Sequence, residues 1–148
     1  MNDNIIIGIQ EEPIDVSELI KKMKSCSAGA ISIFLGTTRD NFENKKVLEL
    51  EYEAHPTMAI KTLQQIAEYC IKTFNLIKIL IIHRIGEVPV TEESIVIIAT
   101  SAHRKESIDA TSYCIDEVKR IVPIWKKEIF EDGSNLWKEN VNSIHLNN

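Results

Sequence analysis

Seven basic side chains crowd one stretch of this sequence, Ser101 to Glu128: His103, Arg104, Lys105, Lys119, Arg120, Lys126 and Lys127. The chain as a whole carries a formal net charge of −5 and a pI near 5.4. Cations gathered locally on an acidic background suit a small anion. A polyanion or an anionic membrane would call for a broadly basic surface.

His103-Arg104 follows an apolar run and opens a helical pattern. Backbone N–H groups, the helix dipole and two cationic side chains then point one way, which suits a phosphate. A solvent-exposed turn is the alternative. Lys119 lies about 95° from the centre of the helix's apolar stripe, at its border. Its methylenes can follow the core and deliver the amine to an adjacent pocket, although ordinary snorkelling to solvent is the simpler account.

Arg104 and Lys119 are roughly 22 Å apart along a straight helix. One small ligand cannot touch both within one chain. Either they serve separate subsites, or a symmetric dimer brings Arg104 of one protomer to Lys119 of the other. Pro123 ends the helix, and the following residues alternate as an extended segment, with Lys126 and Glu128 on one side and Trp125, Lys127 and Ile129 on the other. Lys126 then faces a site beside Lys119. A lone lysine is neutral only about 0.04% of the time at pH 7, and a second lysine nearby raises that fraction. A solvated charge pair is the alternative.

Arg39 adds a third anion contact, in the loop Gly36-Thr37-Thr38-Arg39-Asp40-Asn41 after an apolar run. That loop matches neither a P-loop nor GxGxxG. His55 and His83 have no partners at metal-ligand spacing and read as structural. Cys26, Cys70 and Cys114 form no zinc or disulfide pattern and read as reduced thiols, the latter two on apolar helix faces. No Ser/His/Asp or Cys/His set stands out.

The elements that must position these groups follow from periodicity. Ile5–Ile9 reads as a strand, and Asp15 with Glu18 starts an amphipathic helix through Val16, Leu19, Ile20 and Met23 that ends near Cys26. Ala30–Leu35 is a buried strand. Val47–Ala54 alternates, with Leu48, Leu50, Tyr52 and Ala54 on one face and three glutamates facing solvent. His55-Pro56 opens a helix striped by Ala59, Leu63, Ile66, Ala67, Cys70 and Phe74. Ile77–Ile82 and Ile95–Thr100 are buried strands. Ser101 is the expected N-cap of the basic helix, whose buried side is Ile108, Thr111, Ile115, Val118 and Val122. Ile124–Phe130 is extended, Asp132-Gly133 turns, and Leu136-Trp137 is a last apolar anchor.

The order β-α-β-β-α-β-β-α-β describes an α+β fold with a mixed sheet in one domain. The 148 residues suffice for one core. Residues 1–137 are expected to form it, with 138–148 as a polar, loose tail. No apolar run reaches the ~18 residues of a membrane span, and MNDNIIIGIQEEP lacks the features of a secretory signal. A cytoplasmic protein is expected.

Taken in order, Phe34-Leu35-Gly36-Thr37-Thr38-Arg39, Tyr52-Glu53-Ala54 with Met58-Ala59, His83-Arg84-Ile85-Gly86, Ser101-Ala102-His103-Arg104 and Pro123-Ile124-Trp125-Lys126-Lys127-Glu128 resemble the large, catalytic subunit family of molybdopterin synthase. The resemblance runs from about Ile5 to Trp137. It implies an α/β-hammerhead-type fold and a central homodimer within a heterotetramer, with a small ubiquitin-like carrier docked on each protomer. The carrier's C-terminal Gly-Gly thiocarboxylate would enter a pocket, and two sulfurs would pass to cyclic pyranopterin monophosphate to form the dithiolene. By motif match, Lys119 and Lys126 take the catalytic positions. Thr37, Thr38, Arg39, His103, Arg104, Lys127 and Glu128 take the substrate-binding ones. The resemblance implies no metal or cofactor at this step, and no role for a cysteine. The tail departs from the family, which often has more basic residues where this chain has Asn140-Val141-Asn142. A non-catalytic docking module for the carrier's tail is the alternative function.

Overall fold

Two strands buried on both faces set the layering. They are β5 (Lys78–Arg84) and β7 (Glu93–Ser101), where Ile79 to Ile82 and Ile95 to Ala99 are all buried. The computed structural model describes residues 3–139, so the tail at Asn140–Asn148 lies outside the described residues. In the first sheet β5 and β7 pair antiparallel at the centre. They are flanked by β1 (Ile5–Gln10), parallel to β5, and β2 (Ala30–Thr37), antiparallel to β7.

Successive side chains of a strand point to opposite faces. Ile79, Ile81, Ile95, Ile97 and Ala99 meet α2 (Pro56–Thr73) and α3 (Arg104–Ile121) through Leu63, Ile66, Cys70, Ala110, Cys114 and Val118. Leu80, Ile82, Val96 and Ile98 meet Met23 and the short α1 (Val16–Lys22) on the other face. Each isoleucine so buried contributes about 1.5–3 kcal/mol relative to exposure. These two strands therefore anchor two cores at once.

The second sheet is antiparallel throughout, in the order β3 (Asn41–Phe42), β4 (Lys45–Ala54), β8 (Ile124–Phe130) and β9 (Asn135–Glu139). The short β6 (Gly86–Pro89) is also on β4. The architecture is α+β with one mixed and one antiparallel sheet in a single domain, the expected class. Strands β3, β6 and β9 are additional to the expected order. β3 and β4 are joined by Glu43 and Asn44, both at positive φ, the conformation that two-residue hairpins need.

Helix boundaries follow local chemistry. Asp15 Oδ1 accepts from the Glu18 N–H at 3.2 Å, the expected cap. α1 stops at Lys22, short of Cys26, because Lys78 Nζ donates to the Lys22 and Lys24 carbonyls and holds the chain out of the helix. His55 caps α2 through Nδ1, which accepts from the Met58 N–H, with Pro56 in the first turn.

Four expectations need correction. Ser101 is not the cap of α3: it is still paired with Ala30 in β7, so the helix begins after His103. Ile108 is exposed, and the buried side of α3 is Ser107, Ala110, Thr111, Cys114 and Val118. Small and hydroxylated residues let the helix lie close to the sheet, where Thr111 Oγ1 and Ser32 Oγ share a hydrogen bond of 2.9 Å. In β4 a register shift between Val47 and Glu49 turns Val47 inward and leaves Leu48 exposed. Leu136 and Trp137 are likewise exposed on β9 rather than anchored in the core.

Candidate functional site

A cavity of about 250 Å³ opens between the two sheets and the C-terminal half of α3. The ends of β2 and β7 supply Phe34, Gly36, Thr37, Ser94 and Ile95, while β4 supplies Leu50 and Tyr52. Ile115 and Lys119 enter from one edge of α3, four residues apart and so one above the other. Lys126 and Glu128 enter from β8, and Arg39 from the loop after β2.

Register explains why β8 contributes alternate residues. Lys126 stands opposite Tyr52 on β4 and Lys138 on β9, and Tyr52 and Lys126 of this row line the cavity. The next row, Glu51–Lys127–Trp137, faces away. There Lys127 Nζ pairs with Glu51 at 3.0 Å and lies 4.9 Å from the Trp137 ring centroid. Glu49, Glu51 and Glu87 also gather on this side, so Glu51 is engaged rather than simply solvated.

The electrostatics are concentrated on Lys126. Burial holds its amine below the usual lysine value, and the neighbouring charges of Lys119, Lys138 and Arg39 act the same way. Glu128 opposes them. Glu128 itself is buried, and its Oε1 accepts from Lys138 Nζ at 3.1 Å. Its Oε2 is buried with no hydrogen-bond partner. The cavity thus pairs several cations with one buried carboxylate that retains an unused acceptor.

Two wall residues were read from sequence as structural or merely inward-facing. His83 is buried, its Nδ1–H donates to the Arg84 carbonyl at 2.7 Å, and burial pushes its pKa down to about 4. It is a neutral imidazole at pH 7. The Tyr52 ring meets it edge-on at 5.0 Å, and burial raises the phenol's pKa.

Of the residues singled out from sequence, Thr37, Arg39, Lys119, Lys126 and Glu128 share this cavity. Four do not line it. Thr38 is buried, its hydroxyl donating to the Val88 carbonyl at 3.3 Å. Lys127 is on the opposite face of β8. His103 and Arg104 are exposed at the far end of α3. Cys70 and Cys114 are buried between α2 and α3, where their mutual hydrogen bond and then burial push the Cys114 thiol up, and Cys26 is exposed elsewhere. Lys138 is the site cation that sequence reasoning missed. Its placement depends on the pairing of β9 with β8 across the Asp132-Gly133 turn, a hairpin signal that is present in the sequence but reads there only as a turn before an apolar anchor.

An α+β domain with a lysine-lined cavity between its sheets is the class these features define. The profile of the family described as "MoaE protein" matches residues 9–121. The molybdopterin synthase catalytic subunit of Dictyostelium discoideum is 49% identical over 147 residues, covering 97% of this chain and 93% of that protein. Drosophila melanogaster has a longer relative of the same name, 46% identical, of which the chain spans 38%. The crystal structure of molybdopterin synthase from Staphylococcus aureus superposes with a TM-score of 0.82 at 35% identity, over 93% of this chain and 98% of that one. A complex of subunits 1 and 2 of molybdopterin-converting factor from Helicobacter pylori shares the fold, with a TM-score of 0.74 at 19% identity over 90% of each chain. The chain belongs to the MoaE family of molybdopterin synthase catalytic subunits. Among the described residues, no helix is long and apolar enough to cross a membrane.

Proposed function

We propose that this chain is a sulfurtransferase. It passes two sulfurs, one at a time, from the C-terminal thiocarboxylate of a small ubiquitin-like carrier to cyclic pyranopterin monophosphate. The observation that carries this reading is the convergence of Arg39, Lys119 and Lys126 on one cavity that also holds the buried Glu128. Family membership supports it, as does the two-subunit complex formed by the Helicobacter pylori protein of the same fold.

In this reading Arg39 supplies charge-assisted hydrogen bonds to the substrate's phosphate. Release of sulfur from an acyl carbon passes through a negatively charged tetrahedral species, which the Lys119 ammonium stabilises. Lys126 exchanges protons, because its lowered pKa brings it nearer the working pH. Tyr52 and neutral His83 close the apolar-backed wall and limit water.

His103 and Arg104 serve the same chemistry from a symmetry-related protomer, reaching the partner's cavity across a dimer interface. Their exposure, and their separation of roughly 22 Å from Lys119 along α3, support that arrangement over a one-chain site. Mixing Arg104→Ala and Lys119→Ala protomers should restore about one intact site per mixed dimer. No recovery on mixing would place both residues in one chain's site.

The decisive experiment combines Lys119→Ala protein, thiocarboxylated carrier and the cyclic pterin, with the pterin product read by mass spectrometry. Dithiolene formation is expected to slow by at least about 10²-fold while carrier binding and melting temperature are retained. Full activity would refute the mechanism. Calorimetry that detects carrier binding but no pterin binding would favour a docking module instead.

A further inference from the structure

The loop that carries Arg39 is short, exposed at its tip, and must nonetheless hold a guanidinium over a defined cavity. The structure braces it through backbone bonds to a neighbouring turn. The Thr38 N–H donates to the Glu92 carbonyl at 3.1 Å, and the Thr38 carbonyl accepts from the Thr91 N–H at 2.9 Å. The Thr38 hydroxyl adds the bond to the Val88 carbonyl at 3.3 Å. The residue before Arg39 is therefore tied by three bonds to β6 and the turn that follows it.

That turn is held in a conformation it would not adopt by itself. Thr91 sits at φ +76°, a left-handed geometry that a β-branched residue rarely takes. Such strain persists only where the surroundings over-determine it. The Glu92 N–H donates back to the Pro89 carbonyl. The Glu92 carboxylate receives Arg84 Nη1 at 2.7 Å, and Arg84 Nε donates to the Glu11 carbonyl at 3.3 Å. Arg84 is buried at the end of β5, so its position is fixed by the first sheet. This ion pair differs from a solvated surface pair, because one partner is shielded and already ordered.

We propose that Arg84 and Glu92 are positioning residues for Arg39, a strut that transmits the rigidity of β5 through the Thr91–Glu92 turn to the anion-binding loop. The inference rests on the reading of Arg39 as the phosphate contact. It gives a task to Arg84, in the His83-Arg84-Ile85-Gly86 stretch, a residue that does not line the cavity.

The test uses the intact chain with thiocarboxylated carrier and cyclic pterin. Glu92→Ala should raise the pterin KM about tenfold and leave kcat within about twofold, because ground-state placement of the phosphate is what is lost. Glu92→Gln, which keeps an acceptor oxygen, should fall between the two. In an Arg39→Ala background Glu92→Ala should add nothing, the non-additivity of residues acting through one another. Amide exchange at Thr38 and Thr91 should accelerate in Glu92→Ala while the central strands keep wild-type protection. Unchanged exchange at Thr38, or an additive KM effect in the double variant, overturns the strut. Faster exchange at Thr38, with a KM that Arg39→Ala itself leaves unaltered, upholds the strut and instead removes the phosphate role of Arg39.

Discussion

Lys138 Nζ donates to Glu128 Oε1 at 3.1 Å from the neighbouring strand, and both side chains are at least four-fifths shielded from solvent. This pair sets the charge around Lys126, because Glu128 raises and Lys138 lowers its affinity for a proton. Lys138→Met should therefore move the pH–rate limb governed by Lys126 to higher pH, and Glu128→Gln should move it to lower pH. A pH series of kcat/KM for the two variants checks the opposite signs.

Lys119 is exposed, at the edge of α3. Its removal leaves no buried group unpaired, so Lys119→Ala should lower kcat by about 10²–10⁴-fold. Its melting temperature should stay within about 2 °C of wild type. Single-turnover kinetics and a thermal melt on one preparation separate the two effects.

His83 makes stability depend on pH in one window. Its pKa is about 4 in the fold against an ordinary 6.5, so between these values the unfolded chain binds more protons. Stability should be complete above about pH 6.5 and fall by as much as about 3 kcal/mol as pH drops towards 4. Urea titrations across this range should show the slope. His83→Gln, which cannot titrate, should remove it.

Gly36 on β2 stands opposite Ile95 on β7, beside a register shift, and a Cβ there would come within 2.7 Å of Ile95 Cγ2. Gly36→Ala should destabilise by about 1–3 kcal/mol through overpacking. Ile95→Leu removes the β-branch methyl and should recover part of that loss in the double variant. Denaturant midpoints of the two singles and the double measure the coupling.

Periodicity made most of this architecture legible, because the buried strands and the two long helices carry strong two-fold and 3.6-fold patterns. It also sorted Lys126 and Glu128 from Lys127, since parity along an extended strand is a local property. It misplaced Ile108 because apolar character was counted, whereas close packing had selected Ser107 and Ala110. β3 and β6 have two and four residues, too few to show a period. The Tyr52–His83 contact and the bracing of Thr38 join segments distant in sequence, and no local window contains both partners. Lys138 meets Glu128 from only ten residues away, across the Asp132-Gly133 turn.

The parity of β8 also limits how the site can vary. A slip of one residue would replace Lys126 with Lys127 at the cavity wall, so an amine would still be presented there. The same slip would replace Glu128 with Ile129. A one-residue deletion in β8 ahead of Lys126 would thus keep its base and lose its counter-charge, turning a mixed-sign chamber into a purely cationic one, whereas a one-residue insertion there would present Trp125 and Lys127 instead. Length changes in this region should therefore be confined to the Asp132–Ser134 turn, where they leave the odd–even assignment of β8 intact.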